Sequence, residues 1–450
     1  MTQKSDLFIV FSVDTEGPAT ESLVHTFNRA RDIFGIDLEP TQANLALLQR
    51  GDVPGIDEET RLGLSVMFAP DRLQYINNWQ QMDEMLGRFM SDSCRKDVPD
   101  SLGQGYVYSF YVRDLVGYNV NPRRMALGYH HVYDYYGEKI ESLKSPDRLY
   151  WHYHAPGIVR HAHLDGLNLS HTNFHVQGLA RRVLDRLDFP ASFRPGMDHI
   201  RQDHNLFLEM WIPFDYSNQS IELTAQDLSQ KDNEAGRYGD WRRAPREWCV
   251  YHPSLRDYQK PGQMKRYIAR CLYAKGRMRV ITQEEVDSAF ARAAHGQKTI
   301  LSYLGHDSRD MTLDLEAVAP LLRNSSRKYP SVRFSYENAV DAMRLALDLP
   351  YQPPPEFGIN WNGSRLNITS KLELWGPQPF FCFKTWTGDY YHDNLDKHSD
   401  TEWSYTFDWQ TVDRRGIAKV GIASNDDYGN TTVLRLDVDT GHLTVRNRNT

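Results

Sequence analysis

Two carboxylates and two imidazoles, each pair spaced two residues apart, are the side chains of this sequence best suited to hold a cation. Asp14 and Glu16 close the stretch FIVFSVDTEG at positions 8–17, and His152 and His154 close LYWHYH at positions 149–154. Side chains alternate along a strand, so each pair shares one face if its strand geometry persists. Carboxylates at the end of a buried strand are costly unless paired, hydrogen-bonded or bound to a cation. Two histidines on one face of a buried strand are a geometry for a divalent metal. A plainer reading stands beside each pair. Asp14 and Glu16 also suit the N-cap and first turn of a following helix, and His152 and His154 also suit a hydrogen-bonded polar core. His161 and His163 repeat the spacing in a segment that reads as loop. His306 follows the apolar run 299–304, where it either reaches the same mouth as Asp14 or caps a strand end. Tyr251-His252-Pro253-Ser254 reads as cleft lining or as a strand end with its turn.

These residues need strands to position them. Leu7 to Phe11 is a continuous apolar run, the mark of a strand buried on both faces, and Gly17-Pro18 ends it. Further strands are expected at 106–112, 149–154, within 188–200, at 212–217, 241–254 and 299–304. Helices are expected at 21–34, 75–90, 128–143, 177–187, 205–211, 262–275, 283–294, 310–323 and 335–347. Alternating strands and helices predict an α/β fold with a parallel sheet, whose sites gather at the C-terminal strand ends. Residues 35–71 read as a long insertion over the top, and 91–148 as a second wall of the cleft. The proline-rich stretch at 350–357 reads as a stiff linker. Beyond it, short alternating runs at 365–374, 380–385, 403–409, 417–423 and 432–438 predict an all-β sandwich over 358–450. Trp361, Trp375, Trp386, Trp403 and Trp409 serve either its core or a sugar platform.

With 450 residues, the chain is longer than one core usually serves. A net charge of −7 gives no support for a general nucleic-acid or anionic-membrane binder. Cys94, Cys249, Cys271 and Cys382 are scattered without a CxxC pair, which argues against a zinc knuckle or a disulfide framework. The N-terminal apolar run is too short for a signal peptide, and no stretch is long enough to span a membrane, so a cytoplasmic protein is expected.

The order of motifs resembles the NodB-like polysaccharide deacetylases, carbohydrate esterases of the family-4 type. The resemblance rests on Ser12-Val13-Asp14-Thr15-Glu16-Gly17, His152-Tyr153-His154-Ala155-Pro156, Ser192-Phe193-Arg194-Pro195-Gly196, Phe214-Asp215-Tyr216-Ser217 and Leu304-Gly305-His306-Asp307. It implies a distorted (β/α) barrel over 1–349 that hydrolyses the N-acyl group of a sugar. It further implies that Glu16, His152 and His154 hold a divalent metal, most naturally zinc, with Asp14 as general base. Arg194 would keep Asp14 ionised, and His306 would protonate the leaving nitrogen. Two departures stand out. The first motif usually has adjacent aspartates, and the second usually spaces its histidines four apart, which leaves His130 or Asp114 open as substitute ligands. The implied substrate is a sugar, or a nucleotide- or lipid-linked sugar, of surface-polysaccharide or O-antigen assembly. Two other readings stay open: a catalytically degenerate carbohydrate-binding or scaffold protein, and a hydrolase of a non-sugar C–N bond.

Overall fold

A computed structural model describes residues 6–114, 130–154, 173–234 and 238–448. Its centre is β1 (Leu7–Thr15), every residue of which is buried. The parallel sheet is completed by β2 (Tyr108–Arg113), β3 (Arg148–Tyr153), β4 (Ser192–Pro195), β5 (Phe214–Asn218), β6 (Tyr267–Arg270), β7 (Leu272–Tyr273), β8 (Thr299–His306) and β9 (Phe334–Tyr336). The order along the sheet is β6-β5-β4-β3-β2-β1-β8-β7, and it curls into a nearly closed barrel. On one edge β1 pairs with β8 along its length, and on the other with β9 at Leu7–Ile9 and β2 at Phe11–Thr15.

Alternation along β1 separates two cores. Leu7, Ile9, Phe11 and Val13 pack outward under the surrounding helices. Phe8 and Val10 point inward with Tyr111, Tyr150, Tyr216, Ile300 and Leu304, where Ala339, Val340 and Met343 of the helix Ala339–Ala346 join them. The inward parity continues past the apolar part of each strand. It places Asp14 after Val10, Arg113 after Tyr111, His152 after Tyr150 and His306 after Leu304 on one side, at the C-terminal mouth.

Residues 357–448 form two antiparallel sheets. One takes the order β10 (Phe357–Asn362), β11 (Arg365–Ser370), β15 (Glu402–Thr406), β14 (Asp396–Ser399). The other takes the order β13 (Tyr390–His392), β12 (Phe380–Thr385), β16 (Ile417–Asn425), β17 (Thr431–Asp437), β18 (His442–Arg448). Leu366, Ile368, Phe381, Phe383, Trp403 and Ile422 fill the space between them. Phe380, Cys382, Ala423 and Val433, on the opposite parity, pack instead on Leu179, Val183, Leu184 and Trp211 of the barrel. Gly421 permits this approach: a Cβ there would stand 2.6 Å from Val183 Cγ1. Trp375 and Trp403 are core residues, whereas Trp386 and Trp409 are exposed.

Several expectations are corrected. Residues 262–275, read as a helix, supply β6 and β7 instead, because the run Ile268, Ala269, Cys271, Leu272 is buried from both sides by the barrel. A short apolar run cannot by itself distinguish helix from strand. Residues 241–254 form no strand and contribute only isolated bridges, Tyr251 to Ile268 and Pro253 to Pro261. The helix expected from 335 begins at Ala339, because Phe334–Tyr336 is β9. The insertion at 35–71 is mainly helical, with Thr41 and Asp57 capping Gln42–Arg50 and Glu58–Met67. Leu48, Leu64, Met67 and Phe68 form a small core with Phe27 and Ala30 of the helix Leu23–Phe34. No helix among the described residues is long and apolar enough to cross a membrane.

Candidate metal centre

The mouth of the barrel brings Glu16, His152 and His154 together. One ligand atom from each lies within 4.8 Å of the others, and no other such group of three occurs among the described residues. The Nε2 atoms of His152 and His154 are 3.0 Å apart, and His154 Nε2 is 3.1 Å from Glu16 Oε1. His152 Nδ1 lies 3.1 Å from the Arg194 carbonyl oxygen. A carbonyl only accepts, so Nδ1 carries the proton and the Nε2 lone pair faces the triad. Burial lowers the pKa of His152, with the Asp14 charge opposing, which favours the neutral imidazole a metal needs. Two imidazole nitrogens and a carboxylate oxygen converging at a partly open position form a donor set that fits a divalent ion.

Glu16 is oriented from two sides. Arg113 Nη1 donates to Oε2 at 2.9 Å, leaving Oε1 toward the histidines. Its backbone N–H and that of Gly17 donate to the two Asp307 oxygens, each at 2.9 Å, and Tyr136 Oη donates to Asp307 Oδ2 at 3.0 Å. Asp307 therefore fixes the turn that ends the first strand. Sequence reading did not single out Arg113 as a partner of Glu16. The available signal was its inward parity at the end of an aromatic strand.

Asp14 is held by Arg194, with Nε 2.9 Å from Oδ1 and Nη2 3.3 Å from Oδ2. Arg194 is itself completely buried and donates from Nη1 to the Tyr216 carbonyl and from Nη2 to Asp198 Oδ1. Burial pushes the Asp14 pKa up, but Arg194, then His152 and His306, more than offset it and bring it down to about 2. His306 Nε2 is 3.8 Å from Asp14 Oδ2, and its ring stacks on Tyr273 with centroids 5.9 Å apart. Its surroundings lower its pKa to about 4 by desolvation, against the pull of Asp14, although 30% of the side chain faces the cleft. Asp14 is thus held ionised beside a neutral His306.

The two substitute ligands lie elsewhere. Asp114 points outward with Val112 and accepts from Arg182 Nε at 2.8 Å, while His130 Nδ1 is 3.9 Å from Asp114 Oδ1. Strand parity places Asp114 outside the triad, and His130, at the start of the helix His131–Ser142, adjoins it there. His252 lies over Tyr267, with ring centroids 4.3 Å apart, and its Nδ1 faces the carbonyls of Lys265 and Arg266 rather than the cleft. His161 and His163 fall outside the described residues.

A scan against protein-family models, a search of curated proteins and a search of solved structures found no match to this chain.

Proposed function

We propose that this chain is a metal-dependent hydrolase of the NodB-like type that removes an N-acyl group from a sugar in surface-glycan assembly. The observation that carries the reading is the convergence of Glu16, His152 and His154 beside an arginine-clamped Asp14 and a cleft-facing His306. A bound divalent ion, zinc by the donor set, would polarise the amide carbonyl and lower the pKa of water. The remaining chemistry belongs to the chain. Asp14, kept ionised and fixed by Arg194, accepts the proton of the attacking water. As the water oxygen bonds the carbonyl carbon, Asp14 passes that proton to His306, whose Nε2 lies 3.8 Å away, and His306 delivers it to the nitrogen as the C–N bond breaks, giving an amine and a carboxylic acid that ionises. A neutral His306 at rest matches a group that receives its proton during turnover. Arg113 and Asp307 act on Glu16 and position it.

Elemental analysis of the purified protein, wild type and His152→Ala/His154→Ala, tests the metal. One ion per chain, lost in the double variant, is expected. A panel of N-acyl sugars and non-sugar amides then tests the reaction. A metal-loaded protein that cleaves only non-sugar C–N bonds would reassign the substrate, and one that cleaves nothing and binds glycans would turn the reading toward a binding protein.

A further inference from the structure

The cavity that opens on Glu16, His154 and His306 measures about 220 Å³ and runs on to Arg72, Lys275 and Arg309. A second groove of about 310 Å³ shares Arg72, Lys275 and Arg309 and continues away from the triad. The three cations therefore form a collar between the two spaces. They come from separate elements: the short helix Pro70–Leu73, the loop after β7, and the loop after β8. Most charges around them are already paired. Lys275 Nζ lies 2.7 Å from Asp71 Oδ2, Asp310 is held by Arg88, and Arg277 is held by Asp232.

Arg72 and Arg309 differ from these. Among the described residues, neither is in an ion pair with a carboxylate. Arg309 donates from Nε to the Arg72 carbonyl at 3.0 Å and packs its guanidinium on the Tyr75 ring at 4.7 Å. The Arg72 side chain makes no hydrogen bond among the described residues. Burial, and then the neighbouring Arg309 charge, lower its pKa, as expected of a cation set beside a like charge. Asp314 lines both spaces, but burial pushes its pKa up to about 8, so it does not neutralise the collar at neutral pH. Two adjacent guanidiniums without an ion-paired carboxylate, with the Asp71 charge acting on Arg72 only from farther off, favour an anion that joins them. These two guanidiniums outside any ion pair stand in a chain whose net charge is −7.

We propose that the Arg72–Arg309 collar, with Lys275 beside it, binds a phosphoryl group of the substrate, so that the sugar whose amide meets the triad is phosphate-linked. The proposal rests on the hydrolase reading above and names its substrate class. A lone carboxylate is saturated by one guanidinium fork, whereas a phosphoryl group offers oxygens to two arginines and an ammonium at once. The groove beyond the collar suits a linkage that continues past the phosphate, as in a sugar diphosphate ester. A nucleotide and a lipid share that chemistry.

The test is calorimetric titration of the full chain, zinc-free and zinc-loaded. The probes are inorganic pyrophosphate, N-acetylglucosamine, its 1-phosphate, its uridine diphosphate ester, its farnesyl diphosphate ester and an N-acetylated amino-uronate. Pyrophosphate and the phosphorylated sugars are expected to bind at least about tenfold more tightly than the neutral sugar, in zinc-free protein as well. R72Q/R309Q is expected to abolish that preference and R72K/R309K to keep part of it. Unchanged melting and zinc content serve as the check on the fold. The tighter of the nucleotide and lipid esters identifies the source. Absence of the preference, its survival in R72Q/R309Q, or equal binding of the uronate overturns the proposal. Phosphate binding that depends on Arg72 and Arg309, without bound zinc or amide cleavage, would instead remove the hydrolase reading and leave the collar standing. Zinc-dependent deacylation of a neutral sugar with no phosphate preference would do the reverse.

Discussion

Two buried polar networks in the barrel use the same residue types and do different things. At the mouth, Glu16, His152 and His154 turn lone pairs toward one another, and their supports act from behind: Arg113 donates to Glu16, and the Arg194 carbonyl accepts from His152. On the outside of β2, Asp114 accepts from Arg182, which also lies 3.3 Å from Asp188 and donates to the Val112 carbonyl. His130 adjoins this set, and Asp185 near it accepts from Tyr390 of the β-sandwich at 2.6 Å. In the outer network Asp114 and Asp188 face the Arg182 guanidinium, and Asp185 ties barrel to sandwich through Tyr390 and Lys384. The mouth network is open on the side where a cation and a substrate would enter. Carboxylates and histidines alone therefore do not mark a site. What distinguishes the two is whether a guanidinium stands in front of the oxygens or behind them.

The contrast can be broken by substitution. The largest effect is expected from His152→Ala/His154→Ala: loss of the bound metal and of all detectable hydrolysis, with a melting temperature near wild type, read by elemental analysis and calorimetry. His306→Ala should keep the metal while lowering kcat by roughly 10²- to 10⁴-fold, the usual contribution of a positioned acid; an unchanged kcat on a defined sugar would remove its role. Arg182→Ala should behave in the opposite sense. Leaving Asp114 and Asp188 buried without their cation should cost about 3–5 kcal/mol in urea unfolding, with metal stoichiometry retained in the protein that folds.

A smaller effect separates the cleft wall from both networks. Asp314 has its pKa raised from 3.8 to about 8, with burial as the main cause. The folded state then holds a proton that the unfolded chain has lost, so stability should fall as pH rises from about 4 to 8 and level off above. Asp314→Asn should flatten that slope, measured by urea midpoints across the range. If wild type and variant share one pH profile, the carboxyl is not protonated in the fold. The smallest effect is expected on the exposed rings of the sandwich. Trp409 is 85% exposed, and Trp409→Ala should move stability by less than about 0.5 kcal/mol, read from the melting temperature.

The parts of this protein that were legible in the sequence share a physical origin in local alternation. The apolar run of β1, the DTE ending, the HYH pair and the SFRP segment each state their own face, because Cβ direction along a strand is set within a few residues. The same holds for β12, where Phe381 and Phe383 fill the sandwich while Phe380 and Cys382 meet the barrel. The misread elements are those in which local pattern was ambiguous. The run at 267–273 is too short to show a period, and β9 is a three-residue strand on the lower half of β1.

Local alternation in the sequence put Asp14 with Glu16 and His152 with His154 on shared faces, while Arg194 and His306 entered through the family resemblance. Tertiary structure decided which of them meet. Glu16 and His154 stand 138 positions apart and touch only because parallel pairing carries β1, β2 and β3 to a common mouth. The same closure aims Arg113 behind Glu16, turns Asp114 and His130 away, and assembles Arg72, Lys275 and Arg309 from a short helix and two loops. Alternation is a property of a few consecutive bonds, whereas convergence depends on strand order and barrel curvature, to which no short stretch of chain is sensitive.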